Sequence, residues 1–135
     1  KLLRPARLYE YSCLPYAEAT ALQRRLSENL IQRASTEDAV ILLEHPPTYT
    51  LGRRGNPVNI LWDEKTLQNR GIQTVRTDRG GDVTYHGPGQ LVGYLLLDLR
   101  RLELGVRELV SAMEASLVEL RRARRRRCRR LQPHL

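Results

Sequence analysis

Residues 79–90, Arg-Gly-Gly-Asp-Val-Thr-Tyr-His-Gly-Pro-Gly-Gln, combine residue types that suit a ligand-binding loop. The stretch holds four glycines and a proline, together with an arginine, a threonine, a tyrosine and a histidine. Glycine lets the backbone approach a ligand closely, and a guanidinium offers a fork of donors to a carbonyl, a carboxylate or a phosphate. Composition alone favours a plainer interpretation, a hairpin or loop that is rich in turn residues.

Three ordered motifs resemble the lipoyl (octanoyl) transferase family. The stretch at 79–90, continuing to residue 99, looks like the family signature. Residues 43–52, Leu-Glu-His-Pro-Pro-Thr-Tyr-Thr-Leu-Gly, are similar to its earlier motif, and residues 104–110 match the helix that follows the signature. The resemblance runs from about Tyr9 to Leu120. It identifies the chain as the N-terminal portion of such an enzyme.

This resemblance implies an activity, partners and a fold. Members move an octanoyl group from acyl carrier protein to a lysine of lipoate-dependent enzymes. The implied partners are octanoyl-acyl carrier protein as donor, and the lipoyl domains of 2-oxoacid dehydrogenases and the glycine cleavage H protein as acceptors. The implied fold is a mixed α+β sheet flanked by helices, shared with biotin protein ligases and lipoate ligases. We expect no cofactor and no metal ion.

By the same resemblance, residues 79–86 line the pocket for the acyl chain and its carbonyl. A buried methylene contributes about 0.8 kcal/mol, so an octanoyl tail would supply the chain-length preference and leave polar groups to bind the carbonyl end. We predict His86 to be a pocket wall, and His45 to be a structural residue at a strand end. The residues predicted to bind substrate are Arg79, Gly80, Gly81, Asp82, Val83, Thr84, Tyr85 and His86.

The catalytic residues are not identified in this sequence. The family uses a cysteine, in a Pro-Cys-Gly context, as the acyl carrier and a lysine that exchanges protons with it. Neither cysteine, Cys13 or Cys128, and neither lysine, Lys1 or Lys65, matches those positions. We therefore expect the chain alone to be inactive.

The basic charge is confined to the C-terminal residues. Residues 121–130 hold eight arginines, whereas residues 1–120 carry equal numbers of basic and acidic side chains. Because like charges at i,i+4 repel, we expect residues 121–135 to form a disordered tail after a single domain at 1–120. Two origins remain open, with the first favoured: an altered reading frame in a high-GC gene, or a genuine tail with an anionic partner.

Hydrophobic periodicity predicts strands alternating with helices. The first helix has an apolar stripe at Ala19, Leu22, Leu26 and Leu30, and the last has one at Val106, Leu109, Val110, Met113, Leu117 and Leu120. Strands are expected at 7–12, 39–43, 48–51, 72–77, 82–86 and 92–99, and helices at 15–33, 63–70 and 105–120. No apolar run is long enough to cross a bilayer, and two widely spaced cysteines suit a reducing, cytoplasmic setting. We expect neither a membrane nor a nucleic-acid partner. The alternatives are a biotin or lipoate ligase relative, and a non-catalytic anion- or RNA-binding module acting through the tail.

Overall fold

The computed structural model describes residues 5–33 and 36–130, with side chains as far as residue 124. The chain divides into two compact units, Lys1–Leu97 and Asp98–Leu135. The first holds β1 (Ala6–Tyr11), α1 (Tyr16–Ile31), β2 (Asp38–Leu43), β3 (Thr48–Leu51), α2 (Glu64–Asn69), β4 (Gln73–Arg76), β5 (Val83–His86) and β6 (Val92–Leu96). The second holds α3 (Leu99–Leu102) and α4 (Val106–Arg130). These elements confirm the predicted mixed α+β class.

The first sheet has the strand order β1-β2-β6, with β2 parallel to β1 and antiparallel to β6. Its central strand is the apolar run predicted from the sequence, and Ile41 and Leu43 are fully buried there. Helix α1 belongs to the same core through Ala19 and Leu22, two positions of its predicted apolar stripe. The longest apolar run of the unit therefore forms the centre of its core.

The second sheet has the order β4-β3-β5, with β3 parallel to β4 and antiparallel to β5. Residues 77–82, including the Gly-Gly pair, join β4 to β5 across the end of β3. A tight hairpin turn joins strands that pair directly, and here β3 lies between the two. The hairpin interpretation of the Gly-Gly pair is therefore wrong.

The strand predicted at 92–99 ends earlier, at Leu96. The Asp98 carboxylate accepts hydrogen bonds from the backbone N–H groups of Arg100 and Arg101 and so caps the short helix α3. Leu99 therefore begins a helix instead of extending β6.

Helix α4 continues to Arg130 and does not end at Leu120. Arginine has a high helix propensity, which outweighs the few tenths of a kcal/mol from like-charge repulsion, and Arg122 pairs with Glu119 at 2.9 Å. The backbone of residues 121–130 is helical in this structure, residues 131–135 lie outside the described residues, and the disordered tail stays a prediction. The predicted stripe of α4 is exposed at Val106, Val110, Met113, Leu117 and Leu120. Within the described part of the chain, no helix is long and apolar enough to span a membrane.

Candidate substrate-binding site

Residues 79–82, here called the glycine loop, lie directly against Gly52 at the end of β3. A Cβ atom at Gly52 would stand 2.5 Å from the carbonyl oxygen of Gly81 and 2.9 Å from that of Gly80. The Gly52 N–H donates to the Asp82 carbonyl at 2.9 Å. Gly81 has a φ of +86°, a conformation in which a side chain would be strained. A glycine is thus required on both sides of this contact.

The Arg79 side chain fastens the glycine loop to β3. Its Nη2 group donates to the Thr50 carbonyl at 2.8 Å, to Thr50 Oγ1 at 2.9 Å and to the Asp82 carbonyl at 3.0 Å. Nη1 donates to the Gly80 carbonyl at 2.9 Å, and Nε to Thr50 Oγ1 at 3.2 Å. Most of the guanidinium donors of Arg79 are therefore used inside the protein. Arg79, which was predicted to bind substrate, holds the conformation of the glycine loop.

Asp82 ties the glycine loop to the segment after Gly52. One carboxylate oxygen accepts from the Asn56 N–H at 3.0 Å, and the other accepts from the Asn59 side-chain amide. The N–H groups of Arg53 and Arg54 donate to the carbonyls at positions 79 and 81, at 2.9 and 3.2 Å. The sequence indicated a loop at residues 52–57, but it did not predict that this loop packs against the glycine loop.

The four strand residues of the predicted site are divided between two faces of β5. Cross-strand pairing places Thr84 opposite Thr50, and His86 opposite Thr48, which fixes them on one face. Val83 and Tyr85 are on the other face, where Tyr85 contacts Tyr49 at a ring-centroid distance of 5.1 Å. The structure therefore brings Thr84 and His86 to the face that Arg79 reaches through Thr50 Oγ1, and it separates Val83 and Tyr85 from them.

His86 is half-buried beside the turn that follows β5. Its Nδ1–H donates to Oε1 of Gln90 at 2.7 Å, since an amide oxygen can only accept. The turn itself is held by Glu44, whose carboxylate accepts from the Gly89 N–H at 2.7 Å. Within residues 5–33 and 36–124, no hydrogen bond is found at His86 Nε2, which leaves that nitrogen available to a ligand N–H.

His45 is fully buried next to His86, with their ring centroids 5.5 Å apart. Its Nδ1–H donates to the Leu14 carbonyl at 2.7 Å, and its Nε2 accepts from the Tyr94 hydroxyl at 2.8 Å. These bonds connect the residues before α1, the end of β2 and the middle of β6. The prediction of a structural histidine at a strand end agrees with this geometry.

Burial controls the ionisation of this histidine and its partner. Burial lowers the pKa of His45, the bond to the Leu14 carbonyl opposes the shift, and the charge of His86 adds to the lowering. Burial also raises the pKa of Tyr94 to about 12, with a further contribution from Tyr16. His45 is therefore neutral and Tyr94 is protonated near neutral pH, as their hydrogen bond requires.

Two cavities lie along α1, away from the glycine loop. One, of about 290 Å³, is lined by residues that include Arg7, Asn29 and Asp38. The other, of about 350 Å³, is lined by Gln23, Ser27, Leu30, Ile31, Tyr94, Leu95, Leu96 and Leu97. No cluster of three or more His, Cys, Asp or Glu residues that could hold a metal ion occurs in the described part of the chain.

The remaining reactive residues are scattered. Cys13 is an exposed free thiol between β1 and α1. Lys65 is exposed on α2, and Lys1 and the side chain of Cys128 lie outside the described residues. The structure brings neither Cys13 nor Lys65 to the glycine loop by any hydrogen bond among the described residues.

Comparison with known proteins finds relatives over most of the chain. Residues 15–129 match the family model described as lipoyl protein ligase A/B catalytic domain, so the match continues past Leu120. An octanoyltransferase of Alkaliphilus metalliredigens is 48% identical over 105 residues, which are 78% of this chain and 48% of that protein. An octanoyltransferase of Methylococcus capsulatus is 50% identical over 107 residues, 78% of this chain and 49% of that protein.

One solved structure has the same fold over part of the chain. The crystal structure of P. falciparum LipL1 in complex with lipoate has a TM-score of 0.50 at 20% identity, over 66% of this chain and 29% of that one. The chain spans about half the length of the curated relatives it matches. With its family model matched over most of its length, the chain belongs to the lipoyl protein ligase A/B catalytic domain family.

Proposed function

We propose that this chain is the acyl-binding part of an octanoyltransferase of protein lipoylation. The whole enzyme would move octanoyl from acyl carrier protein to a lysine of a lipoyl domain. The observation that carries this proposal is the glycine loop, held against residues 52–54 by three hydrogen bonds from their backbone N–H groups to loop carbonyls, next to the face that presents Thr84 and His86. Identity of about half to octanoyltransferases supports it.

The proposed roles follow from the donors and acceptors that remain unused. The Thr84 hydroxyl can donate to the thioester carbonyl of the acyl group, and Nε2 of His86 can accept from an amide N–H of the donor's arm. Arg79 and Asp82 would act as positioning residues, because their hydrogen bonds are made inside the protein. Gly80 and Gly81 would let the backbone approach the acyl chain.

The chemical step requires groups that this sequence does not supply at matching positions. In the proposed reaction, a cysteine thiolate attacks the donor thioester and the carrier thiol leaves. The acceptor lysine then attacks the new thioester, the C–S bond to the cysteine breaks, and the products are the amide and the free cysteine thiol. Cys13 and Cys128 do not lie in the Pro-Cys-Gly context of the family nucleophile. The chain as given should therefore bind the acyl group and not transfer it.

A binding and transfer experiment tests this proposal. The chain is titrated with octanoyl-N-acetylcysteamine, a thioester without protein or phosphate, and is separately incubated with octanoyl-acyl carrier protein and a lipoyl domain. We expect the thioester to bind, and the mass of the lipoyl domain to stay unchanged. Thr84→Val should weaken thioester binding about fivefold through one lost hydrogen bond. Thr74→Val is the matched control on the other face of the sheet.

Two results would contradict the proposal. Absence of thioester binding would remove the acyl site, and octanoylation of the lipoyl domain would show that this chain carries its own nucleophile. ATP–pyrophosphate exchange in the presence of octanoate would instead identify an acid-activating ligase.

A further inference from the structure

Exposed apolar side chains cluster in the segment that follows the Gly52 turn. Leu61 is 93% exposed and Val58 is 72% exposed. Trp62 is 43% exposed, and the guanidinium carbon of Arg70 lies 4.5 Å from the centre of its ring. Most large apolar side chains are buried on folding, so adjacent exposed ones of this kind mark a surface for a partner.

Basic side chains accompany this apolar segment. Arg53 and Arg54 are both exposed, and Arg70 is exposed while it stacks on Trp62. Three carboxylates lie in or beside the same segment. Asp82 accepts from Asn56 and Asn59, Asp63 accepts from the Thr66 N–H, and Glu64 is exposed on α2. With the exposed Lys65 counted, four basic side chains stand against these three, so the charge of the segment is positive. Tryptophan and arginine are the residue types enriched where protein interfaces gain most of their affinity.

The same segment is connected to the glycine loop. The backbone N–H groups of Arg53 and Arg54 donate to loop carbonyls, and the Asn59 amide donates to Asp82. A partner bound to the exposed side chains would therefore lie beside the loop that is proposed to receive the acyl group. The bound partner and the acyl site would therefore be adjacent.

The charge of the arginines indicates which of two proteins binds here, the acyl donor or the lipoyl-domain acceptor. The donor presents its acyl group on an arm that carries an anionic phosphodiester, whereas the acceptor presents a lysine. Arginines attract the first and repel the second. Because this choice uses the donor and acceptor named above, it rests on the proposed function.

We propose that this surface docks the acidic carrier protein that donates the acyl group. Carboxylates of the carrier and the phosphodiester of its arm would pair with the arginines, and an apolar residue of the carrier would contact the exposed apolar side chains. The docking surface consists of Arg53, Arg54, Val58, Leu61, Trp62 and Arg70.

A charge reversal tests this assignment. The double variant Arg53→Glu/Arg54→Glu is compared with the unsubstituted chain for binding of octanoyl-acyl carrier protein by calorimetry. We expect affinity to fall at least about tenfold, and the affinity of the unsubstituted chain to fall with salt because the contacts are ionic. Arg24→Glu/Arg25→Glu, an adjacent exposed pair on α1, makes the same change in net charge and should leave the affinity unchanged. Leu61→Ser should also weaken carrier binding, by a smaller factor.

A second ligand separates this inference from the proposed function. Octanoyl-N-acetylcysteamine has no carrier and no phosphate, so all of these variants should bind it as the unsubstituted chain does. If the double variant keeps its affinity for the carrier, or loses affinity only for a lipoyl domain, the docking assignment is wrong while the acyl site stands. If no form binds the small thioester, the proposed function and this inference both fall.

Discussion

Arg79 and His45 both join segments that are distant in sequence through side-chain hydrogen bonds, but they do so in different surroundings. In each, one polar side chain bonds to backbone carbonyls far away in the sequence, with Arg79 reaching Thr50 and His45 reaching Leu14. Arg79 is half-buried and remains charged, whereas His45 is fully buried and neutral. The glycine loop is thus held by a guanidinium, and the junction between the strands is held by a neutral imidazole.

The difference follows from the partners of each side chain. A guanidinium has only donors, and the Arg79 site offers it only oxygen acceptors. An imidazole between a carbonyl and a hydroxyl needs one donor nitrogen and one acceptor nitrogen, which is the neutral form. Four substitutions or conditions test this contrast.

His45→Ala should have the largest effect. It leaves the Leu14 carbonyl without its donor and opens a cavity in a fully buried position, so we expect a loss of about 3 kcal/mol in the free energy of unfolding. Urea denaturation measures the loss. Tyr94→Phe removes only the hydroxyl and should cost about 1 kcal/mol. Equal losses in the two variants would mean that the cavity and the Leu14 bond contribute nothing.

Gly52→Ala should cost about 2 kcal/mol, because its Cβ would overlap the loop carbonyls and force the glycine loop away. Thermal unfolding and thioester binding should both deteriorate. Gly80→Ala is the control within the loop for thermal unfolding alone, since a Cβ there has nothing within 4 Å and φ lies outside the left-handed region. A stable Gly52→Ala variant with normal binding would show that the loop is not pressed on β3.

Arg79→Met should cost about 1.5 kcal/mol, the lower end for hydrogen bonds to a charged group, because the side chain is half-exposed. Arg79→Lys should lose nearly as much, since a point charge cannot reproduce the fork between Thr50 and Asp82. Both losses should be the same at pH 5.5 and pH 7.5. If the loss in the free energy of unfolding differs between these two pH values, the proposed difference between Arg79 and His45 is wrong.

The pH response is the smallest effect expected. The pKa of folded His45 lies below that of the unfolded chain, so between the two values the unfolded state binds more protons. The contribution of His45 is complete above about pH 6.5 and is lost as the pH falls from there towards the folded pKa. The free energy of unfolding should therefore decrease on acidification through this window. His45→Gln should remove that part of the slope, and Arg79→Met should keep it; identical slopes in all three proteins would contradict the prediction.

Local patterns predicted most of the elements, because hydrophobic periods act over a few residues. The run at 39–43 became the buried strand β2, and the stripe beginning at Ala19 became the inner face of α1. The ends of helices and strands were less predictable where they depend on a side-chain cap or on two opposing contributions of similar size. The end of β6 depends on the Asp98 cap, and the extension of α4 depends on the balance between arginine propensity and repulsion.

The sequence by itself determined the family, the composition of the glycine loop and the alternation that separates Thr84 and His86 from Tyr85. Only the tertiary structure decided what the loop side chains contact. Arg79 and Asp82 bind atoms of residues 50–59, which are more than twenty positions away, and β3 inserts between two strands that adjoin the loop in sequence. Hydrogen-bond partners at such separations are chosen by strand order, which periodicity does not encode.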